Sequence, residues 1–176
     1  MIGRGVGVAL LWLAVSGPRA FGAVELRAVD AGTLAEARRN PTVGLRLISV
    51  WATWCAPCVV ELPDLVALDR EYRGPRFDTV TVSADEAARH ETALRVLERA
   101  KAAFTNYRFR GELSELIATL DPSWTGALPF TMLVAPGGEV LFRGEGTLEI
   151  DGLRRAIERW RAAPARVDTT TERRRR

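Results

Sequence analysis

Residues 45–58 read LRLISVWATWCAPC, an apolar run that ends directly at a pair of cysteines. The run Leu45–Trp51 is long enough and apolar enough for a central β-strand. From Cys55 to Tyr72 the apolar residues recur at helical spacing, which predicts a helix that starts at the first cysteine. Both cysteines, Cys55 and Cys58, are therefore expected to lie at a strand–helix junction.

Further strands and helices alternate on both sides of this junction. The patterns predict strands at residues 24–29, 77–83, 105–110, 130–134 and 139–143, helices at 30–39, 85–103 and 112–120, and a last helix carrying Ile150, Leu153, Ile157 and Trp160. Ser83, with Glu86 three residues later, predicts a capping box for the helix at 85–103. This alternation indicates an α/β sandwich with a mixed sheet.

Composition excludes several classes of function. The 176 residues are 47% hydrophobic and 27% charged, which is typical of one folded domain. The formal charge of +3 falls to −1 without the run Arg173–Arg176, so the body lacks the basic face of a nucleic-acid-binding core. A zinc site with four protein ligands would need His90 together with both cysteines and a carboxylate. We expect no nucleic-acid partner and no metal site.

The first 22 residues have the pattern of a secretory signal peptide. Arg4 precedes an apolar run at residues 6–15, and Ala20 and Gly22 are small residues two positions apart, as a cleavage site requires. The uncharged stretch 5–18 is shorter than the roughly 20 residues that span a membrane. We expect a cleaved signal, and an uncleaved membrane anchor is the alternative.

Three segments follow from this pattern: the signal peptide at 1–22, a folded domain at 24–163 and a disordered basic tail at 164–176. An exported chain works where disulfides form and persist. We therefore expect the protein in the periplasm or secreted, or else anchored to the inner membrane and facing the periplasm.

Cys55 and Cys58 carry the predicted chemistry. A sulfur at the start of a helix lies near unpaired N–H groups, whose partial positive charge favours the thiolate. The thiolate is the attacking species in disulfide exchange. Cys58 falls one turn later on the same face, so it can resolve a mixed disulfide. A purely structural disulfide is disfavoured, because closing so short a loop gains little stability.

The segment from Ser49 to Cys58, with Pro63 and the later pair Leu128-Pro129, resembles the thioredoxin superfamily. The phrase WATWC, followed by Glu61, resembles most closely the TlpA/ResA-like branch of exported thiol–disulfide oxidoreductases. The resemblance runs from about residue 24 to residue 160. It implies a thioredoxin-like fold of the α/β class, with a central mixed β-sheet flanked by helices.

The same resemblance implies the partners. It implies a reversible dithiol/disulfide couple with no further cofactor, protein disulfides or dithiols as substrates, and a reducing role such as cytochrome c maturation. A membrane thiol electron donor would recharge the protein, which we expect to be a monomer.

The resemblance also assigns residues around the cysteines. Pro129 matches the family's cis-proline, which faces the active-site disulfide, and Leu128 would pair its backbone with substrate. Glu61 matches a partly buried glutamate that tunes the thiols and moves protons. The expected catalytic residues are Cys55, Cys58 and Glu61, and the expected substrate-binding residues are Trp54, Ala56, Pro57, Leu128 and Pro129.

Two positions depart from the family pattern. Ser49 stands where a buried acid or amide is usual, and a serine does not titrate in the useful range. Proton transfer would then fall to Glu61 alone or to water. Phe130 stands where a threonine is often found, which predicts a more apolar rim and a different substrate preference.

Two other functions stay open. A dithiol oxidase or isomerase would use the same cysteines, although Ala56 and Pro57 supply no positive charge between them to stabilise the reduced thiolate. A non-catalytic module could use the thioredoxin surface to hold a partner. A peroxiredoxin-type peroxidase is disfavoured, because neither cysteine has the required Pro and Thr or Ser seven and three positions before it.

Overall fold

The computed structural model describes residues 23–163. Six strands form one mixed sheet, namely β1 (Arg27–Val29), β2 (Leu45–Trp51), β3 (Phe77–Ser83), β4 (Thr105–Phe109), β5 (Phe130–Val134) and β6 (Val140–Glu145). Five α-helices cover it, namely α1 (Ala31–Arg39), α2 (Ala56–Tyr72), α3 (His90–Ala100), α4 (Leu113–Leu120) and α5 (Ile150–Ala162). This confirms the predicted fold class. The predicted signal peptide and basic tail lie outside the described residues.

The strand order is β1-β4-β3-β2-β5-β6. The first four strands in this order run parallel, while β5 is antiparallel to β2 and β6 is antiparallel to β5. The carboxyl ends of β2 and β3 therefore meet at one edge of the sheet, where Trp51 pairs with Ser83. The amino end of β5 lies at the same edge, because Val50 pairs with Phe130.

The two faces of the sheet bury separate apolar clusters. Along β2 the side chains alternate: Leu47 and Trp51 pack with α2, α3 and α5, whereas Ile48 and Val50 pack with α1 and α4. All four are at most 1% exposed. Burial of each of the three aliphatic side chains contributes about 1.5–3 kcal/mol. This explains why β2 is apolar on both faces.

Across the described residues, 23–163, no helix is both long and apolar enough to span a bilayer.

Helix ends show where sequence patterns succeeded and failed. Asp30, at the start of the predicted helix 30–39, caps α1, since the Thr33 backbone N–H donates to its Oδ1 at 2.9 Å. The capping box of Ser83 and Glu86 is wrong. The Ser83 hydroxyl instead donates to the Asp85 carboxylate at 2.8 Å and accepts from the Asp85 N–H at 3.1 Å.

Helix α3 is consequently shorter than expected. It begins at His90 after a single 3₁₀ turn, Ala87–Arg89, instead of at residue 85. It ends at Ala100, because Lys101 has a left-handed backbone with φ 57°.

Two edge strands also differ from the prediction. β1 is limited to Arg27–Val29 instead of 24–29, and β6 runs from Val140 to Glu145 instead of 139–143. In β6 the shift arises because the Ala135 N–H donates to the Glu139 carbonyl at 2.8 Å, which keeps Glu139 in the hairpin turn.

Candidate active site

The two cysteines lie at the edge where β2 ends. A nucleophile turn, defined as residues 52–54, connects Trp51 to Cys55. The Cys55 N–H donates to the Ala52 carbonyl at 3.1 Å, and Cys55 is the N-cap of α2. Its sulfur accepts the Cys58 backbone N–H at 3.3 Å. The helix terminus thus directs a donor at the sulfur, as the sequence predicts.

Cys55 and Cys58 form a disulfide, with an S–S distance of 2.03 Å and Cα atoms 5.3 Å apart. Both cysteines are buried, while Ala56 and Pro57 between them are exposed. The pair is therefore shielded by the protein on one side and bordered by open surface on the other. Helix α2 continues through Pro63 as one helix.

A second segment, the proline loop, is defined as residues 121–129. It connects α4 to β5 and approaches the cysteines. The Leu128–Pro129 peptide bond is cis, as the resemblance to the thioredoxin superfamily implies. Pro129 is buried and Leu128 half-buried. The Gly146 N–H donates to the Pro129 carbonyl at 2.8 Å, which ties the loop to the end of β6.

Pro129 and Cys58 line the same small cavity, of about 10 Å³, behind the disulfide. Glu61, Ser49 and Thr131 also line it. The Thr131 hydroxyl lies 3.5 Å from the Ser49 hydroxyl. Glu61 is half-buried, and among the described residues its buried Oε2 has no hydrogen-bond partner. Glu61 and Cys58 therefore line the same cavity.

The surface beside the disulfide is apolar. Trp54 is 59% exposed and Val60 is 75% exposed, and Pro57 lies between them in the sequence. The predicted contribution of Phe130 to this rim is wrong. Phe130 is fully buried on the other face of the sheet, where its ring stacks on Trp124 with centroids 4.6 Å apart. Trp124 packs there and is held by an indole N–H donated to the Ala127 carbonyl at 2.8 Å.

Polar contacts fasten the proline loop to β6. Glu145 accepts the Thr125 backbone N–H at 3.3 Å and the Thr125 hydroxyl, and it pairs with Arg143 at 2.7 Å. Arg143 also pairs with Asp121 at 3.3 Å. Burial alone would raise the pKa of Asp121, but hydrogen bonds from Ser123 and the charge of Arg143 outweigh it and lower the pKa.

Asp85 is a site residue that the sequence patterns missed. Its carboxylate accepts the Thr53 backbone N–H at 2.9 Å and the Thr53 hydroxyl at 2.7 Å. A usable signal was present, because the carboxyl ends of neighbouring parallel strands meet at one edge. Asp85 follows β3 just as the nucleophile turn follows β2.

The curated proteins that resemble this chain in sequence include a thiol-disulfide oxidoreductase and a thioredoxin. Over 108 residues the chain is 28% identical to the thiol-disulfide oxidoreductase ResA of Oceanobacillus iheyensis. The aligned region covers 61% of this chain and 52% of ResA. Over 52 residues it is 38% identical to thioredoxin of Staphylococcus aureus. This aligned region covers 27% of this chain and 49% of thioredoxin. The chain thus spans about half the length of the curated relatives it matches. No protein-family model matches it.

Solved structures agree on the fold. A Chlorobium tepidum protein assigned as thiol:disulfide interchange protein DsbE is 25% identical, with a TM-score of 0.54 over 68% of this chain and 81% of that one. A DsbF homologue of Corynebacterium diphtheriae is 17% identical, with a TM-score of 0.57 over 68% of this chain and 73% of that one. The chain has the thioredoxin-like fold, and its resemblance to the thioredoxin superfamily and to the ResA/TlpA-like branch is confirmed.

Proposed function

We propose that this chain is a thiol–disulfide oxidoreductase that works outside the cytoplasm and reduces disulfides of exported proteins. The observation that carries the proposal is the Cys55–Cys58 bond at the N-terminus of α2, with Cys58 and Pro129 lining one cavity. The chemistry in the names of the ResA and DsbE relatives supports it.

Reduction of a substrate proceeds by two exchanges at sulfur. The Cys55 thiolate attacks one sulfur of the substrate disulfide, forms a mixed disulfide and releases the other substrate sulfur as a thiolate. The Cys58 thiolate then attacks the Cys55 sulfur, which forms the bond seen in the structure and releases the second substrate sulfur. Two electrons pass to the substrate, whose two sulfurs take up protons. An external dithiol donor, expected in the membrane, restores the reduced pair.

Glu61 is the proposed proton acceptor for Cys58. Cys58 must lose its proton before it attacks, and it is buried, so bulk water cannot readily serve as the base. Glu61 lines the same cavity, and its Oε2 has no hydrogen-bond partner among the described residues. Ser49 lines the cavity too, but its hydroxyl cannot act as a base near neutral pH.

Trp54, Ala56, Pro57, Leu128 and Pro129 form the proposed substrate surface. Exposed aromatic side chains often anchor protein interfaces, and Trp54 stands beside Cys55. Leu128 would present its backbone to an extended substrate segment as an added strand does. The absence of a charged residue between Cys55 and Cys58 favours a reducing couple. The proposed substrates are exported proteins such as apocytochromes c, which the resemblance to the TlpA/ResA-like branch implies.

The midpoint potential of the Cys55/Cys58 couple tests this proposal. The protein is equilibrated with glutathione or dithiothreitol, and free thiols are trapped. A value near that of thioredoxin, about −270 mV, supports a reductase, whereas a value near that of DsbA, about −120 mV, identifies an oxidase or isomerase. If no reversible couple forms, the chain is a binding module instead.

Replacing the nucleophile gives the sharpest loss of activity. In Cys55→Ser we expect reduction of an insulin disulfide to fall to the rate of buffer alone, because no thiolate attacks. Cys58→Ser is the matched control: it retains the attack and accumulates the mixed disulfide, visible by mass spectrometry. Substantial turnover by Cys55→Ser would refute the assignment.

Glu61→Gln tests the proton acceptor. In a Cys55→Ser background, we expect Glu61→Gln to shift the alkylation of Cys58 by iodoacetamide to higher pH. In the chain with both cysteines, we expect Glu61→Gln to slow turnover at neutral pH by about 10²-fold. Asp64→Asn is the control, since Asp64 lies one helical turn away and is exposed. An alkylation profile unchanged by Glu61→Gln would remove Glu61 from the mechanism.

A further inference from the structure

A buried carboxylate stands next to the nucleophile turn. Asp85 is only 2% exposed, and none of the ion pairs within residues 23–163 includes it. A buried charge is costly unless hydrogen bonds compensate it. The fold retains this one where β3 ends, beside the turn that leads to Cys55.

Neutral donors from two segments satisfy this carboxylate. Thr53 donates both its backbone N–H and its hydroxyl, at 2.9 and 2.7 Å, and Ser83 donates its hydroxyl at 2.8 Å. A backbone bond from the Ala84 N–H to the Trp51 carbonyl, at 2.8 Å, runs alongside. Hydrogen bonds to an ionised acceptor are about twice as strong as neutral ones. Asp85 thus fastens the turn to the end of β3.

The turn has few other attachments. Residues 52–54 belong to no helix or strand, and the Trp54 side chain is mostly exposed. In the oxidised form the Cys55–Cys58 bond also holds the end of the turn. Reduction breaks that covalent tie. In the dithiol form the turn therefore depends more on the bonds from Thr53 to Asp85.

We propose that Asp85 is a positioning residue that keeps the nucleophile turn, and with it Cys55, in place when the disulfide is reduced. This inference rests on the proposed function. It predicts that loss of the anchor destabilises the dithiol form more than the disulfide form. Because the reduced state is then disfavoured, the couple becomes harder to reduce and its midpoint potential becomes more negative.

Loss of the negative charge of Asp85 would move the midpoint potential in the opposite direction from loss of the anchor. The sign of the shift therefore separates an anchoring effect from a charge effect. A nearby negative charge disfavours a thiolate, so its removal alone would favour the reduced form and raise the potential. Thr53→Val keeps the charge and removes one donor of the anchor. If anchoring dominates, Asp85→Asn and Thr53→Val both lower the potential; if charge dominates, Asp85→Asn raises it and Thr53→Val does not move it.

The experiment measures the midpoint potential and the free energy of unfolding of both redox forms of the full chain. For Asp85→Asn we expect about a tenfold change in the redox equilibrium constant toward the disulfide, which corresponds to about 30 mV. Thr53→Val should give a smaller change of the same sign, and Thr53→Ser, which keeps both donors, should match the wild type.

Asp69→Asn is the matched control. Asp69 is another buried carboxylate, 1% exposed, which pairs with Arg73 near the far end of α2. Its loss should destabilise both redox forms equally and leave the potential unchanged.

The outcomes separate this inference from the proposed function. A wild-type protein without a reversible couple contradicts the proposed function itself. With a reversible wild-type couple, an unchanged or raised potential in Asp85→Asn overturns the positioning role. If Asp85→Asn does not fold, the sign of the shift in Thr53→Val decides.

Discussion

The two loops that meet at the candidate active site are held in different ways. The nucleophile turn is fastened from inside, through the buried carboxylate of Asp85. The proline loop is fastened by apolar packing and by partly exposed polar contacts. Its Trp124 stacks on Phe130, while in β6 Arg143 pairs with Asp121 and Glu145 accepts from Thr125. One loop thus depends on a desolvated charge, and the other on apolar packing supplemented by solvated charges.

The difference matches what each loop has to do in the proposed reaction. The nucleophile turn leads to Cys55, whose covalent bond to Cys58 is made and broken in every cycle, so a directional anchor that survives reduction is useful there. The proline loop presents backbone to substrate and takes no part in bond exchange. A broad apolar contact is sufficient to hold it, since packing tolerates small adjustments better than a hydrogen-bonded buried charge does.

The largest effect is expected at the stack beneath the proline loop. Trp124→Ala should lower the free energy of unfolding by about 4 kcal/mol, because it empties a buried site beside Phe130. Trp124→Phe keeps a ring in the stack but loses the indole hydrogen bond to Ala127, and should cost about 1–2 kcal/mol. Urea unfolding measures both.

The ratio of these two losses tests the comparison. If Trp124→Phe costs as much as Trp124→Ala, the hydrogen bond and not the packing holds the loop, and the proposed contrast with the nucleophile turn disappears. Equal unfolding midpoints for all three proteins would show that the stack contributes nothing.

Sequence patterns located the parts of the site that depend on local order. One apolar run predicted strand β2, and the cysteine pair after it predicted the N-cap position of Cys55. Both predictions were possible because consecutive residues determine the strand and the start of the helix. The cis bond before Pro129 followed from a family resemblance and not from any periodicity.

The anchor at Asp85 could not be read in the same way. Ser83 and Glu86 have the spacing of a capping box, and a local pattern gives no reason to prefer another partner for the Ser83 hydroxyl. The competing partner, Asp85, is fixed by a contact to Thr53, which lies 32 residues away. Only the parallel pairing of β2 with β3 brings these residues together.

A smaller effect is expected from the ion pairs at the surface of the proline loop. Glu145→Gln keeps an acceptor for Thr125 but loses the charge that pairs with Arg143. We expect a loss of about 0.5 kcal/mol, since solvated ion pairs contribute little. Unfolding in 1 M salt should shrink the difference from wild type, because salt screens exposed charges. A loss several times larger that salt leaves unchanged would show that this network acts like the buried anchor.

The smallest effect concerns acid. The pKa of Asp121 is lowered below its ordinary value of 3.8, because the Ser123 hydrogen bonds and the Arg143 charge outweigh the effect of burial. A carboxyl whose pKa is lower in the folded state stabilises the fold fully above its unfolded-state pKa, and this contribution is lost as the pH falls through the folded-state value. Asp121→Asn removes the titration while its amide oxygen can still accept from Ser123. The variant should therefore be less stable than wild type at pH 7 and approach it at pH 3, as measured by urea unfolding at both values. A constant difference between Asp121→Asn and wild type across this range would mean that the charge of Asp121 does not help to hold the proline loop.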